Sequence, residues 1–275
     1  MTQFPTLAFI GAGNMARAII GGLLNNGYPA EKIWACEPQA ERLQDLADQG
    51  LQVTTDNNQA VAQVDIVVLA VKPQILKPVC TDLAASAAQN RPLFISVAAG
   101  ITSDSINQWL GGEHAIVRCM PNTPALVQMG ANGLCANSAV TAEQKAQAEK
   151  VISATGIALW VDDEELLHAI TAVSGSGPAY YFLFMEAMIA AGTKMGLTPE
   201  VATQLTLQTA RGAAEMAFQS DVPPAELRRR VTSPNGTTEQ AILSFQANQL
   251  EADVETAMQA CYARSEEMAK ELGEA

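Results

Sequence analysis

Two short stretches of this 275-residue chain carry residue types, at spacings, that can hold anions. The first is Gly11-Ala12-Gly13-Asn14-Met15-Ala16. It follows an apolar run over residues 7–10 and leads into a helical pattern carried by Met15, Ile19, Ile20, Leu23 and Leu24. Strand, Gly-x-Gly-x-x-Ala turn and helix, in that order, are the context a dinucleotide fingerprint requires. Gly11 permits a tight turn, Gly13 lets the backbone approach a pyrophosphate, and Ala16 lets the helix lie close on the strand. The free N–H groups of the first helical turn, aided by the helix dipole, then face the phosphates. A glycine triplet alone is equally an ordinary strand-to-helix turn; the flanking elements favour a bound dinucleotide.

The second stretch is Thr232-Ser233-Pro234-Asn235-Gly236-Thr237-Thr238-Glu239. Pro-Asn-Gly is a turn, and the threonine pair opens a helix with Glu239 in its first turn. Backbone N–H groups exposed there suit a carboxylate, and the hydroxyls add donors at fixed geometry. A simple N-cap is the alternative of equal weight. A third stretch, residues 173–180, is rich in small residues (Ser174-Gly-Ser-Gly-Pro-Ala) and allows close approach of a ligand or, more readily, of a neighbouring helix.

The standard catalytic constellations are absent from the sequence. The five cysteines (36, 80, 119, 135, 261) are far apart without a C-x-x-C pair, which reads as reduced, mostly buried thiols of a cytoplasmic protein. His114 and His168 have no partner at ligand spacing, so no metal is expected. Lys72, at a strand end, is a conceivable base, though a solvated lysine is the commoner outcome. Glu37 stands 24 residues after Gly13 at the end of a second strand. An acidic residue there bonds the adenosine ribose and favours NADH; capping the next helix is the even alternative. Arg42 is the nearest cation for a 2′-phosphate.

Short apolar runs at 7–10, 32–36, 51–54, 65–71, 93–97, 115–119, 133–136 and 157–161 alternate with helical patterns, which predicts a mostly parallel sheet covered on both faces. In such a sheet the strands' carboxyl ends face the ligand crevice, which points residues 70–73 and the stiff Met120-Pro-Asn-Thr-Pro124 loop at it. From residue 163 onward helical periodicity dominates, over 164–173, 178–195, 199–219, 224–230, 237–247 and 251–272. The expectation is an α/β Rossmann-type domain over residues 1–162 and an all-α dimerisation and substrate domain over 163–275. The long apolar faces of these helices call for burial against a second copy.

Composition sets the outer bounds. Hydrophobic residues make up 48% and charged residues 16%, as in an ordinary globular protein. No apolar run reaches membrane-spanning length, and no signal-peptide pattern opens the chain. A net charge of −13 makes nucleic acid and anionic membranes improbable partners, so an anionic ligand must be held by local donors.

Phe-Ile-Gly-Ala-Gly-Asn-Met at 9–15, Ala-Val-Lys-Pro at 70–73, Ser-Val-Ala-Ala-Gly at 96–100, Met-Pro-Asn-Thr-Pro at 120–124, Ser-Gly-Ser-Gly-Pro-Ala-Tyr at 174–180 and Thr-Ser-Pro-Asn-Gly-Thr-Thr at 232–238 occur in this order. The set, which covers essentially the full chain, resembles the pyrroline-5-carboxylate reductases. Asn235 stands where the family more often has glycine. Glu37 stands where members that favour NADPH carry a small or neutral residue. The resemblance implies reduction of a cyclic imine to L-proline with NADPH or NADH. It implies a cofactor site of Ile10, Gly11, Ala12, Gly13, Asn14, Met15, Glu37, Asn57, Ala70, Val71, Lys72, Pro73, Val97 and Ala99. It places the substrate carboxylate on Gly236, Thr237 and Thr238, beside Ser233, with the Thr238 hydroxyl bonding the ring nitrogen. Glu164 falls near the substrate, a helix-end charge being the plain alternative. The helical domains of the family pair, the substrate site is built across that interface, and rings of dimers occur. Two other readings compete: a β-hydroxyacid dehydrogenase, whose catalytic lysine would fall four residues after Gly177 where this chain has Tyr181, and a non-catalytic NAD(P) sensor on the same fold.

Overall fold

The structure, a computed structural model, describes residues 4–274. Eight strands form one sheet. In chain order the first elements are β1 (Leu7–Ile10), α1 (Asn14–Asn25), β2 (Ile33–Cys36), α2 (Gln44–Ala47), β3 (Gln52–Thr54), α3 (Asn57–Val61), β4 (Ile66–Leu69), α4 (Pro73–Asn90), β5 (Leu93–Ser96), α5 (Ser103–Trp109), β6 (Ile116–Met120), β7 (Gly130–Ala136), α6 (Ala142–Ile152), β8 (Gly156–Trp160) and α7 (Leu166–Ile170). The helical remainder is α8 (Gly177–Lys194), α9 (Pro199–Phe218), α10 (Pro224–Arg230), α11 (Thr237–Ala247) and α12 (Leu250–Glu274).

The strand order is β3-β2-β1-β4-β5-β6-β7-β8. The chain winds outward from β1 in one direction through β3, then returns to lay β4 on the other side of β1. The order therefore reverses between β1 and β4, which opens a crevice at the carboxyl ends of those strands. β1, β4 and β5 are buried along their whole length, as expected of strands covered on both faces. Leu7, Phe9, Ile66, Val68 and Ile95 face one core layer with Ile19, Ile20 and Leu23 of α1. Ala8, Ile10, Val67, Leu69 and Phe94 face the other with Leu76, Cys80 and Leu83 of α4.

One pairing departs from the parallel rule. β7 runs antiparallel to β6, and β8 is then parallel to β7. Residues 121–129 are too few for a crossover helix, and the chain reverses through a tight 3-10 turn at Thr123–Val127.

The chain divides into two compact units: residues up to Ser176 together with those from Cys261 onward, and Gly177–Ala260. The strands do end near residue 162, where the sequence changes character, but the first unit extends further. Ile170 of α7 fills the space over Gly133 of β7, and Met120 fills that over Gly175. The rear half of α12 also belongs to this unit. Ser265 meets the buried His168 ring nitrogen Nδ1 at 2.8 Å, the rings of His168 and Tyr262 sit edge to face, and Cys261 bonds Ser176. Between α7 and α8 the small-residue stretch passes through a π turn at Thr171–Gly175, with the Ser176 N–H donating to the Thr171 carbonyl, and α8 starts afresh at Gly177.

In the second unit α8 lies against α9, with Leu197 and Ala202 close to Gly192, and Phe184 meets Phe245. Few side chains here are buried. Tyr181, Phe182, Leu183, Met195, Leu205, Met216 and Phe218 are all exposed. Apolar surface of this extent on packed helices is the mark of an interface. Among the described residues, no helix is long and apolar enough to cross a membrane.

Candidate active site

The glycine turn is built at the crevice. The Gly11 N–H donates to the Cys36 carbonyl at 3.0 Å and the Ala70 N–H to the Ile10 carbonyl at 2.9 Å, which ties the ends of β1, β2 and β4 together. Gly11 has φ +93°, and a Cβ there would lie 3.0 Å from the Ala70 carbonyl oxygen. Only glycine fits both demands. Gly13 is different: its φ is −76°, and a Cβ built on it meets nothing within 4 Å. Gly13 also caps α1 without a side-chain bond, and no acidic residue occupies the first turn of α1. The N–H groups at Asn14, Met15 and Ala16 thus face open space at the positive end of a twelve-residue helix, a fitting cradle for a pyrophosphate.

The remaining predicted cofactor residues lie on the segments that follow β1, β2, β3, β4 and β5. Ile10, Gly11 and Ala12 are buried, Met15 half-buried, and Gly13 and Asn14 exposed. Glu37 reaches back from the end of β2: its Oε2 accepts from the Ala12 N–H at 3.4 Å, and its Oε1 lies 3.8 Å from Arg42 Nη1. Its side chain makes no helix cap, since the following 3-10 turn at Ala40–Arg42 has none. Arg17 braces the same end, donating Nε to the Ala12 carbonyl at 3.0 Å and pairing with Asp45. Asn57 opens α3, which Asp56 caps. Ala70 and Val71 are half-buried at the end of β4. Lys72 is exposed and caps α4, with Pro73 at its first position. Val97 and Ala99 are half-buried just past β5, the Val97 N–H donating to the Leu69 carbonyl at 3.1 Å.

The late turn has the expected form. Asn235 takes φ +60°, and its N–H donates to Glu239 Oε2 at 2.7 Å. Asn tolerates this left-handed conformation better than most residues, so the turn forms with asparagine where the family more often has glycine. Gly236 is the N-cap of α11 with no side-chain bond. Thr237 and Thr238 are exposed, and among the described residues neither hydroxyl has an intrachain partner. The first-turn donors of α11 and both hydroxyls therefore remain for a ligand. Ser233 is exposed beside them, its carbonyl accepting from the Gly236 N–H at 3.0 Å.

Glu164 binds groups of its own chain. Its Oε1 accepts from the Ser103 N–H at 2.7 Å and from Arg118 Nη1 at 2.8 Å, and its Oε2 accepts from the Ser103 hydroxyl at 2.6 Å. Burial alone would raise the Glu164 carboxyl, but the bonds from Ser103 and the charge of Arg118 outweigh it and hold the group below its ordinary range. Ser103, Arg118 and Asn122 thus stand out beside the expected site residues. Arg118 is a lone cation inside the apolar strand Ile116–Met120, a signal visible in the sequence. Asn122 is buried, accepts from the Ala131 N–H at 2.9 Å and donates to the Ser174 carbonyl at 3.0 Å, so it fixes the stiff loop after β6.

No other chemistry competes. Burial pushes the Cys36 and Cys80 thiols up to about 12 and raises those of Cys119 and Cys135, so none offers a thiolate nucleophile at neutral pH. Among the described residues, no group of three or more His, Cys, Asp or Glu could hold a metal.

Fold order, switch-point crevice and glycine cradle define a Rossmann-type oxidoreductase of the nicotinamide-dinucleotide class. Residues 6–100 match the family model described as NADP oxidoreductase coenzyme F420-dependent, and residues 164–268 match that for pyrroline-5-carboxylate reductase dimerisation. The chain is 57% identical to the pyrroline-5-carboxylate reductase of Pseudomonas aeruginosa, over 98% of this chain and 99% of that one. The corresponding enzyme structure from Coxiella burnetii superposes with a TM-score of 0.94 at 43% identity, covering 97% of this chain and 99% of that one. The Plasmodium falciparum enzyme with NADP bound superposes at 0.84 and 32% identity, covering 96% and 98%. The chain belongs to the pyrroline-5-carboxylate reductase family.

Proposed function

We propose that this protein reduces 1-pyrroline-5-carboxylate to L-proline by hydride transfer from NADPH or NADH, the last step of proline biosynthesis. The observation that carries the reading is the late turn: a chain with near full-length likeness to these reductases keeps the Gly236-Thr237-Thr238 turn, with the N–H groups and hydroxyls of Thr237 and Thr238 free of intrachain partners among the described residues. When bound, a reduced nicotinamide supplies the hydride that the imine carbon takes up. The Gly11–Met15 turn holds the pyrophosphate, and Glu37 holds the adenosine ribose. Ala70, Val71, Lys72, Pro73, Val97 and Ala99 form the wall along β4 and β5, and Asn57 completes the rim. At the Gly236–Thr238 turn the N–H groups of Thr237 and Thr238 hold the substrate carboxylate, while the Gly236 N–H, donated to the Ser233 carbonyl, shapes the turn.

The ring nitrogen must finish with a proton. A protonated imine is already electrophilic, so the reaction needs orientation and charge complementarity more than a strong acid. The Thr238 hydroxyl is the group assigned to that nitrogen. This accounts for a site without His, Cys or a carboxylate pair.

The exposed apolar faces of α8, α9 and α11 support pairing of residues 163–275 with a second copy, the dimerisation model spanning most of that segment. The buried, unpaired thiols suit a reducing cytoplasm.

The test is coenzyme oxidation followed by absorbance. Turnover with 1-pyrroline-5-carboxylate and none with β-hydroxy acids supports the reading. Coenzyme binding without turnover of either points to a sensor instead, and Tyr181 at the position of a dehydrogenase lysine already disfavours the hydroxy-acid enzymes.

A further inference from the structure

The Ser103–Arg118–Glu164 cluster lies at a particular place in the sheet. With Glu37 at the β2 side of the glycine turn, a dinucleotide laid across the crevice directs its other end toward β4 and β5. The loop that leaves β5 there carries Val97 and Ala99. Its entry is fixed by one bond to the neighbouring strand, the Val97 N–H donating to the Leu69 carbonyl at 3.1 Å, and by the Ser96 hydroxyl, which accepts from the Ala98 N–H at 3.3 Å. Its middle bends at Gly100, φ +74°, where Met268 and Leu272 of α12 lie alongside. Its exit is Ser103, the first residue of α5, and that exit is where the Glu164 carboxylate binds both the backbone N–H and the hydroxyl.

Glu164 itself is fixed by Arg118, whose side chain is only 8% exposed and which stands two residues before the Met120 end of β6. A buried arginine in a strand is costly unless paired, and the same carboxylate that neutralises it clamps the loop. The α5 N-terminus already has its own cap, because the Thr102 hydroxyl accepts from the Ser105 N–H at 3.1 Å. That cap leaves the Ser103 N–H, the first donor of α5, without a partner, and Glu164 supplies the acceptor from 61 residues away while its other oxygen takes the Ser103 hydroxyl.

We infer that Glu164, acting through Ser103 and Arg118, is a positioning residue for hydride transfer: it holds the β5–α5 loop that seats the nicotinamide end of the coenzyme. The inference rests on the functional reading above. It gives Glu164 a role through Ser103 and Arg118 that is distinct from the pyrophosphate cradle at Gly11–Met15. Loosening the loop misplaces the reacting carbon while leaving coenzyme affinity, set by the Gly11–Met15 turn, in place. Misplacement on the ångström scale costs on the order of ten- to a hundred-fold in rate.

The experiment compares the wild type with Glu164→Gln and Ser103→Ala in steady-state kinetics with protiated and 4-deuterated coenzyme. Ser103→Ala removes only the hydroxyl bond, keeps the ion pair and keeps the fold. Glu164→Gln should lower kcat roughly ten-fold or more, with coenzyme KM within about two-fold, and raise the deuterium isotope effect as hydride transfer becomes rate-limiting. Ser103→Ala should move kcat and the isotope effect the same way by a smaller factor. If Ser103→Ala has wild-type kcat and isotope effect, or if either variant raises coenzyme KM with kcat unchanged, the inference is overturned. A wild-type enzyme inert toward 1-pyrroline-5-carboxylate instead overturns the functional reading beneath it.

Discussion

The carboxylate of Glu37 and the backbone nitrogen of Ala12, 25 residues apart in sequence, meet at 3.4 Å inside the glycine turn after β1. Its loose counter-ion is Arg42, 64% exposed, and we propose that this carboxylate marks the adenosine end of the coenzyme site. A ribose diol can bond that carboxylate, whereas a 2′-phosphate is repelled by it. Glu37→Ser should raise kcat/KM for NADPH relative to NADH by about ten-fold, the equivalent of ~1.4 kcal/mol. An unchanged ratio would remove Glu37 as the selector.

The two glycines of the turn should fail in different ways. At Gly11 a side chain meets the Ala70 carbonyl in a left-handed backbone, so Gly11→Ala should cost stability, on the order of 1–3 kcal/mol, as well as coenzyme binding. At Gly13 a methyl has room in the protein and an allowed φ, so Gly13→Ala should lower Tm only by the modest cost of a poorer N-cap, less than Gly11→Ala, while weakening coenzyme binding. Thermal melts paired with coenzyme titration by fluorescence check this. Equal losses of Tm in the two variants would mean the space at Gly13 is not the pyrophosphate cradle.

Acid should release the Glu164 clamp. Its folded-state carboxyl is held below the ordinary value of about 4.3, so it contributes stability that is present above that value and lost as pH falls through the folded one. Breaking a pair with a buried arginine costs about 3–5 kcal/mol at neutral pH, less here because Glu164 is 28% exposed. The stability gap between wild type and Glu164→Gln, measured by urea unfolding, should be largest near pH 7 and narrow below about pH 4.5. A gap independent of pH would show that the charge on Glu164 contributes nothing.

Much of this fold is readable locally. The apolar runs of β1, β4 and β5 and the turn after β1 carry their own signals, because burial on both faces and a positive φ demand particular residue types at particular positions. The helical periodicity of α8, α9 and α11 is equally plain, and so is their excess of apolar surface. What the local pattern does not contain is pairing across the chain. Glu164 looks like a helix-end charge until Ser103 and Arg118, 61 and 46 residues away, are brought to it. The antiparallel β7 follows from a short connection rather than from its own residues. The rear half of α12 has the same periodicity as the front, yet Ser265 and Tyr262 pack with His168 in the first unit. The free threonines of the late turn were visible as types and spacing, but their lack of intrachain partners appears only in three dimensions.

The apolar helices should not be stable alone. Leu183 is 67% exposed and lies between the exposed Phe182 and Phe184 on α8. Leu183→Glu places a charge in the expected interface, where desolvation is costly. Light scattering should report a wild-type mass of at least a dimer and a shift of the variant toward monomer. An unchanged mass would put the interface elsewhere.

We propose that the turn at residues 236–238 acts on the substrate and the turn at residues 11–15 on the coenzyme. Thr238→Ala, studied by single-turnover reduction alongside direct coenzyme titration, tests it most directly. The account predicts a fall in the reduction rate of about a hundred-fold, the scale of losing a positioned proton-transfer group, with coenzyme Kd unchanged. Wild-type reduction by the variant, or a rate loss explained wholly by weaker coenzyme binding, would contradict it.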